Sequence, residues 1–228
     1  MRQLRPRTNA GFTLIEILIV ISIITILATV AIPNLISSRA TANEAAVVGT
    51  LRTLATAQFK FKQMGLVDRN NDTAYEFGTL GEMCGYKPLR GTTDYLSPSV
   101  LSLKFSGIDT EGRLREHGYY LALFLPDAAG VGLAEKPASV TFYDASLAAD
   151  YYTVVAWPMT LGSSGRSTFF VNQQGEILKC DRGGYSGTTN APPPGCALMG
   201  TLSPNHITSS DLAVGTNGAD GKLWVPVH

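Results

Sequence analysis

The sequence predicts an α+β protein, in which one long N-terminal helix serves as membrane anchor in its first half and packs on a small antiparallel β-sheet in its second. Three observations carry that prediction. A 25-residue apolar run from Phe12 to Ile36 passes directly into an alanine-rich amphipathic stretch; short apolar runs further along end at prolines; and residues 181–228 are rich in Gly, Ser, Thr, Asn and Pro. At 228 residues the chain has room for one membrane segment and one compact domain.

The first element is FTLIEILIVISIITILATVAIPNLI, in which Glu16 is the only charge. A crossing helix needs about 20 residues, so the run is long enough to span a bilayer. Arg2, Arg5 and Arg7 precede it with no acid among the first eleven residues. The positive-inside bias therefore places residues 1–11 in the cytoplasm and the bulk of the chain outside. A secretory signal peptide has its small residues after a shorter apolar region, whereas Ala10 and Gly11 stand before this one. A charge deep in a bilayer costs on the order of 3 kcal/mol, so Glu16 calls for a partner or a function.

The stretch Gly11-Phe12-Thr13-Leu14-Ile15-Glu16, followed by the apolar run and Pro33, closely resembles the class III leader of type IV prepilins and type II secretion pseudopilins. The resemblance covers about residues 10–40. It implies the lollipop fold of type IV pilins and cleavage between Gly11 and Phe12 by a membrane-embedded prepilin peptidase, which methylates the new N-terminus. The mature chain would hold 217 residues (228 less 11) and begin with N-methyl-Phe12. Also implied as partners are other pilin or pseudopilin subunits, the peptidase/methyltransferase, an inner-membrane platform protein with its assembly ATPase, and the lipid of the inner membrane.

The residues themselves fit that role. Gly11 has no side chain, which suits a backbone entering a protease cleft in extended form. Glu16 lies one helical turn after Phe12, where its carboxylate favours the positive end of the helix. Once the chain is cut, Phe12 carries a charged amine in a low-dielectric setting, and the carboxylate of a neighbouring subunit can satisfy it. Subunit register would follow from that pairing.

Three segments result: residues 1–11 as a cleaved cytoplasmic leader, 12–64 as a helix that is transmembrane to about residue 36 and amphipathic after it, and 65–228 as a globular antiparallel-sheet domain with a looped C-terminal region. Pro33 should kink or locally melt the helix. Val47, Leu51, Leu54, Ala55 and Phe59 fall close to one stripe that should pack on the domain. At about 1.5 Å per residue a helix over 12–64 is roughly 80 Å long, and Gly65 is a plausible stop.

Beyond it, YYLALFL (Tyr119–Leu125) ends at Pro126 and YTVVAW ends at Pro158. Thr168–Val171 and Glu176–Lys179, joined by Asn172-Gln173-Gln174-Gly175, read as a hairpin. Three to five strands are expected. Tyr119, Tyr120, Phe124, Trp157, Phe169 and Phe170 read as core; Trp224 less so, as a contact to a neighbouring subunit or a closure of the sheet.

The cysteines are Cys84, Cys180 and Cys196. Cys180 and Cys196 form a candidate disulfide in an oxidising compartment, worth about 3 kcal/mol in the chain-entropy account, with two unpaired thiols as the alternative. The pilin resemblance favours the bridge, since many pilins staple a C-terminal loop in this way. Cys84 reads as a buried thiol.

Other chemistry is set aside. Removing Arg2, Arg5 and Arg7 leaves 15 basic against 18 acidic residues, which argues against a nucleic-acid surface built on bulk charge. Asp68, Asn70, Asp72 and Glu76 alternate like the start of a calcium loop, but Thr73 and Thr79 stand where an EF-hand has Gly and Glu, and a turn-rich linker fits better. His117, His206 and His228 match no zinc spacing, and no nucleophile elbow, phosphate loop or dinucleotide fingerprint is present. No cofactor, metal or catalytic activity is expected. The functional expectation is a structural subunit polymerised through its N-terminal helix, in a surface pilus or a type II secretion pseudopilus, since so apolar a stretch outside lipid must be covered by other copies. The alternative is a minor pilin or pseudopilin that binds secreted substrate, DNA or surfaces.

Overall fold

The computed structural model of the protein describes residues 11–136, 142–181 and 183–227. Residues 1–10 of the leader, with Arg2, Arg5 and Arg7, and the terminal His228 lie outside the described residues. The first element, α1 (Leu14–Gln63), is one helix with Pro33 inside it. A proline removes one backbone donor, and the rest of the ladder carries the helix past it. Helix α1 stops where the sequence predicts: Met64 and Gly65 donate to the carbonyls of Lys60 and Lys62, and Gly65 takes φ 66°. A Cβ there would also meet the Tyr75 ring at 2.9 Å.

The chain divides into two compact units inside α1, after Ser38. The division lies well before residue 65 because the helix from Arg39 onward is part of the globular core: Ala40, Val47, Val48, Leu51, Leu54, Ala55, Ala57 and Phe61 are buried. Phe59, expected on that stripe, is 46% exposed; the inward face steps from Leu54 through Gln58 to Phe61 instead. Gln58 is tolerated there because its amide exchanges two hydrogen bonds with the backbone of Gly78, donating to the carbonyl at 2.8 Å and accepting from the N–H at 2.9 Å.

After α1 come a one-turn helix α2 (Leu80–Met83), a 3₁₀ turn (Leu103–Ser106), strands β1 (Arg113–Glu116), β2 (Tyr119–Pro126) and β3 (Gly132–Ala134), helix α3 (Ala145–Asp150), and strands β4 (Thr153–Pro158), β5 (Thr168–Asn172), β6 (Ile177–Cys180), β7 (Thr216–Asn217) and β8 (Leu223–Pro226). They form an antiparallel sheet in the order β1-β2-β4-β5-β6-β8-β7, with β3 beside the end of β2. The expected β5–β6 hairpin is present, and Gly175 closes its turn at φ 77° with its N–H on the Asn172 carbonyl. Among the described residues the sheet has eight strands rather than three to five. The extra ones are short, polar or both: RLRE, GLA and TN hold no apolar alternation to read.

Both faces of the central strands are covered, which is why they read as continuous apolar runs. Tyr119, Leu121, Leu123, Leu125, Val154, Ala156, Phe169 and Val171 join the core formed with Val47, Leu51, Leu54 and Phe61 of α1. Their neighbours Tyr120, Ala122, Phe124, Val155, Trp157, Phe170 and Leu178 face a second core closed by Tyr185, Cys196, Leu198, Ile207, Ala213 and Trp224. The C-terminal region is largely loop, as expected, but it forms a third layer over the sheet. Trp224 is fully buried in it, its ring centroid 6.1 Å from that of Phe170, and so belongs to the core rather than to a surface contact.

Candidate functional site

The N-terminal segment is built from very few interactions. Gly11, Phe12 and Thr13 precede α1 and are exposed, Phe12 at 85%. A Cβ on Gly11 would meet nothing within 4 Å, so no packing among the described residues demands glycine at that position. Thr13 is the residue that sequence reading passed over. Its hydroxyl oxygen accepts from the Glu16 N–H at 3.2 Å, while Glu16 Oε2 accepts from the Thr13 N–H at 2.8 Å and the Thr13 hydroxyl at 2.7 Å. This is a reciprocal capping box, and its signal, Thr-x-x-Glu at the head of an apolar run, stands in the sequence.

The box changes the account of Glu16. Its carboxylate is partly satisfied within its own chain, at the end of the helix where the macrodipole favours it. Both bonds use Oε2, and no cationic side chain pairs with Glu16 among the described residues. The site thus offers one capped carboxylate with Oε1 open to a further donor.

From Leu14 to Ile36 the large apolar side chains of α1 stand exposed. Its hydroxyls are satisfied along the helix itself: Ser22, Thr25 and Thr29 donate to the carbonyls of Leu18, Ile21 and Thr25 at 2.7, 2.7 and 2.8 Å. The segment therefore presents hydrocarbon with no loose hydroxyl donor, and it is long and apolar enough to cross a membrane.

In the globular unit, no disulfide joins the described cysteines. The expected partners Cys180 and Cys196 nonetheless lie in the same buried cluster, and Cys84 is buried in the other. Burial pushes the Cys196 thiol well up, reinforced by the charge of Asp220 and by Cys180. The acidic stretch after α1 shapes its own turn. Asp68 accepts from the N–H groups of Asp72 and Thr73 at 3.2 and 3.1 Å, Asp72 accepts from Ala74 N–H at 2.8 Å, and Asn71 and Thr73 sit at φ 55° and 69°.

Glu76 turns inward instead, into an ion cluster. Arg90, 5% exposed, lies between Glu82 (Nε to Oε1, 2.9 Å) and Glu76 (Nη1 to Oε2, 3.1 Å), and donates also to the Phe77 carbonyl. Arg69 closes the far side of Glu76 at 2.9 Å. Glu82 accepts from the Thr79 N–H at 2.8 Å in a capping box on α2. Each charge is paired and hydrogen-bonded, which is the condition for burying it.

Residues 6–32 match the family described as the prokaryotic N-terminal methylation motif. Over 96 residues the chain is 38% identical to the type IV wide pilus major component PilA4 of Thermus thermophilus, covering 42% of this chain and 70% of that protein. Over 85 residues it is 44% identical to the type IV major pilin protein PilA of Myxococcus xanthus, covering 36% of this chain and 37% of that protein. It therefore spans little more than a third of the Myxococcus relative's length. No solved structure matches.

Proposed function

Because this chain belongs to the type IV pilin family, we propose that it is a structural subunit of a type IV pilus, held in the inner membrane as a prepilin and then polymerised through its N-terminal helix. The observation that carries this reading is the exposed apolar half of α1, headed by a single capped carboxylate. Leaving lipid, such a helix is stable only against other apolar helices.

In this reading a prepilin peptidase cuts between Gly11 and Phe12 and methylates Phe12. The open space around Gly11 supports it, since the demand for glycine then comes from the enzyme that reads the segment. The new amine of one subunit pairs with Oε1 of Glu16 in a neighbour, while Oε2 stays in the cap. Pro33 loosens the helix during extraction by a platform protein and its ATPase. A surface pilus is preferred to a secretion pseudopilus because the two relatives carry pilus names. Export also places Cys180 and Cys196 in an oxidising compartment, where a bridge between them would staple the C-terminal layer to β6.

Intact-mass measurement on native membranes and sheared surface filaments tests the reading. The expected species lacks residues 1–11 and carries one methyl group on Phe12 in sheared fibres. A processed chain confined to the envelope would make it a pseudopilus subunit, and an uncut chain beginning at Met1 in cells with active peptidase would overturn the reading.

A further inference from the structure

Among the charges on the globular unit that form no ion pair with a described residue, four fall into two groups of opposite sign. Arg52 and Lys60 lie on the uncovered face of α1, two helical turns and about 12 Å apart. Between them a shallow groove of about 290 Å³ is lined by Thr53, Thr56 and Ala57, small enough to let another surface approach the helix closely. Glu44, which borders the same face, spends its Oε1 on the N–H groups of Arg166 and Ser167 at 2.7 and 3.1 Å.

The acidic group borders the β5–β6 turn. Asp150 is the last residue of α3, a helix end where a carboxylate is disfavoured, and it is exposed. It lines a groove at the Gln63 end of α1 together with Gln173, whose Oε1 is buried without a donor. Glu176 stands exposed just after the same turn. Lys62 also faces this groove, but its ammonium is donated to the Ala149 carbonyl at 2.5 Å and lies 4.8 Å from the Phe77 ring centroid.

We propose that the Arg52–Lys60 face of α1 docks against the Asp150–Glu176 rim of a second copy of this chain. The proposal rests on the filament reading above and deepens it by naming one contact between copies. Asp150 lines its groove with Phe59, Lys62 and Gln63 of α1, and the basic face is centred on Thr56, three to seven residues lower, so the two meet when copies are offset by about 5–10 Å along the helix axis. The two surfaces differ, so the contact is heterologous and propagates into an open filament instead of closing a dimer. Pairing of opposite charges fixes the offset and rejects like-charged registers.

The experiment is a charge swap in the full chain in its native cells, read as the yield of sheared filaments beside the amount of processed subunit in the membrane. Arg52→Glu with Lys60→Glu, and separately Asp150→Lys with Glu176→Lys, should each lower filament yield at least tenfold while the processed subunit stays at its normal level. All four substitutions together should return the yield to within threefold of the starting chain, which also shows that the variants fold. Filaments unaffected by either reversal, or a fourfold variant no better than its parents, would overturn the contact and leave the filament reading intact. A starting chain that is processed but enters no filament would overturn both.

Discussion

Replacing Arg90 by Ala is expected to be among the most damaging single changes in the globular unit. The substitution removes the guanidinium that lies 2.9 Å from Glu82 and 3.1 Å from Glu76, together with its bond to the Phe77 carbonyl and its position 5.5 Å from the Tyr143 ring centroid. Glu76 keeps Arg69. Glu82, 1% exposed, keeps two backbone donors, the N–H groups of Thr79 and of residue 90 itself, but loses the one cation that pairs with it among the described residues. Breaking one partner out of a buried ion pair costs about 3–5 kcal/mol, because the remaining charge is left uncompensated. At about 2–4 °C per kcal/mol for a unit of this size, the loss is about 6–20 °C in Tm.

The assay is thermal unfolding of the processed full-length chain in detergent, followed by the near-UV circular dichroism of the buried Trp157 and Trp224. A double-mutant cycle separates charge from packing. Glu82→Gln removes the charge yet keeps an acceptor for the Thr79 N–H, so Arg90→Met with Glu82→Gln should recover at least 2 kcal/mol relative to the sum of the single changes. An Arg90→Ala loss below about 1 kcal/mol, or strict additivity in the cycle, would refute the account of the cluster as a buried, mutually compensating set.

Thr13→Val removes one side of the capping box and should lower helix stability at Leu14–Ile17 by about 1 kcal/mol, seen as faster amide exchange confined to that turn. Alkali should unfold the globular unit. Burial pushes the hydroxyls of Tyr119 and Tyr152 upward, with the charge of Glu44 adding to Tyr119. Stability from a raised group is complete below its unfolded value and is lost above it, so urea midpoints should hold to about pH 10 and fall beyond it by about 1.4 kcal/mol per pH unit for each group. A flat profile from pH 8 to 11 would contradict this burial. Chain isolated from filaments should weigh 2 Da less than its reduced form, with Cys84 alone open to alkylation after denaturation; three alkylatable thiols would rule out the Cys180–Cys196 bridge.

Much of the N-terminal half was legible because its signals are local. A run of apolar residues, a basic boundary and a glycine at the end of the amphipathic stretch act over a few turns of helix, and α1 ends beside Gly65 as its φ of 66° requires. The capping box is equally local, and what hides it is that Glu16 by itself reads as the partner of an amine in another subunit. Phe59 was misplaced for a different reason: over so short a stretch, Phe59 and Phe61 fit the apolar periodicity about equally well. What separates them is Gln58, a polar residue on the inward face that only its bonds to Gly78 make acceptable.

By itself, the sequence determined the long apolar helix, the β5–β6 hairpin and the membership suggested by residues 10–40, since each depends on neighbours a few positions apart. Tertiary structure alone decided the number of strands, the burial of Trp224 and the inward turn of Glu76 toward Arg90. Strands as short as Thr216–Asn217 exist only because a long-range partner supplies their hydrogen bonds, and a loop-rich tail becomes a core layer only where a sheet offers it an apolar face. A buried charge is stable only in the company that the completed fold assembles around it.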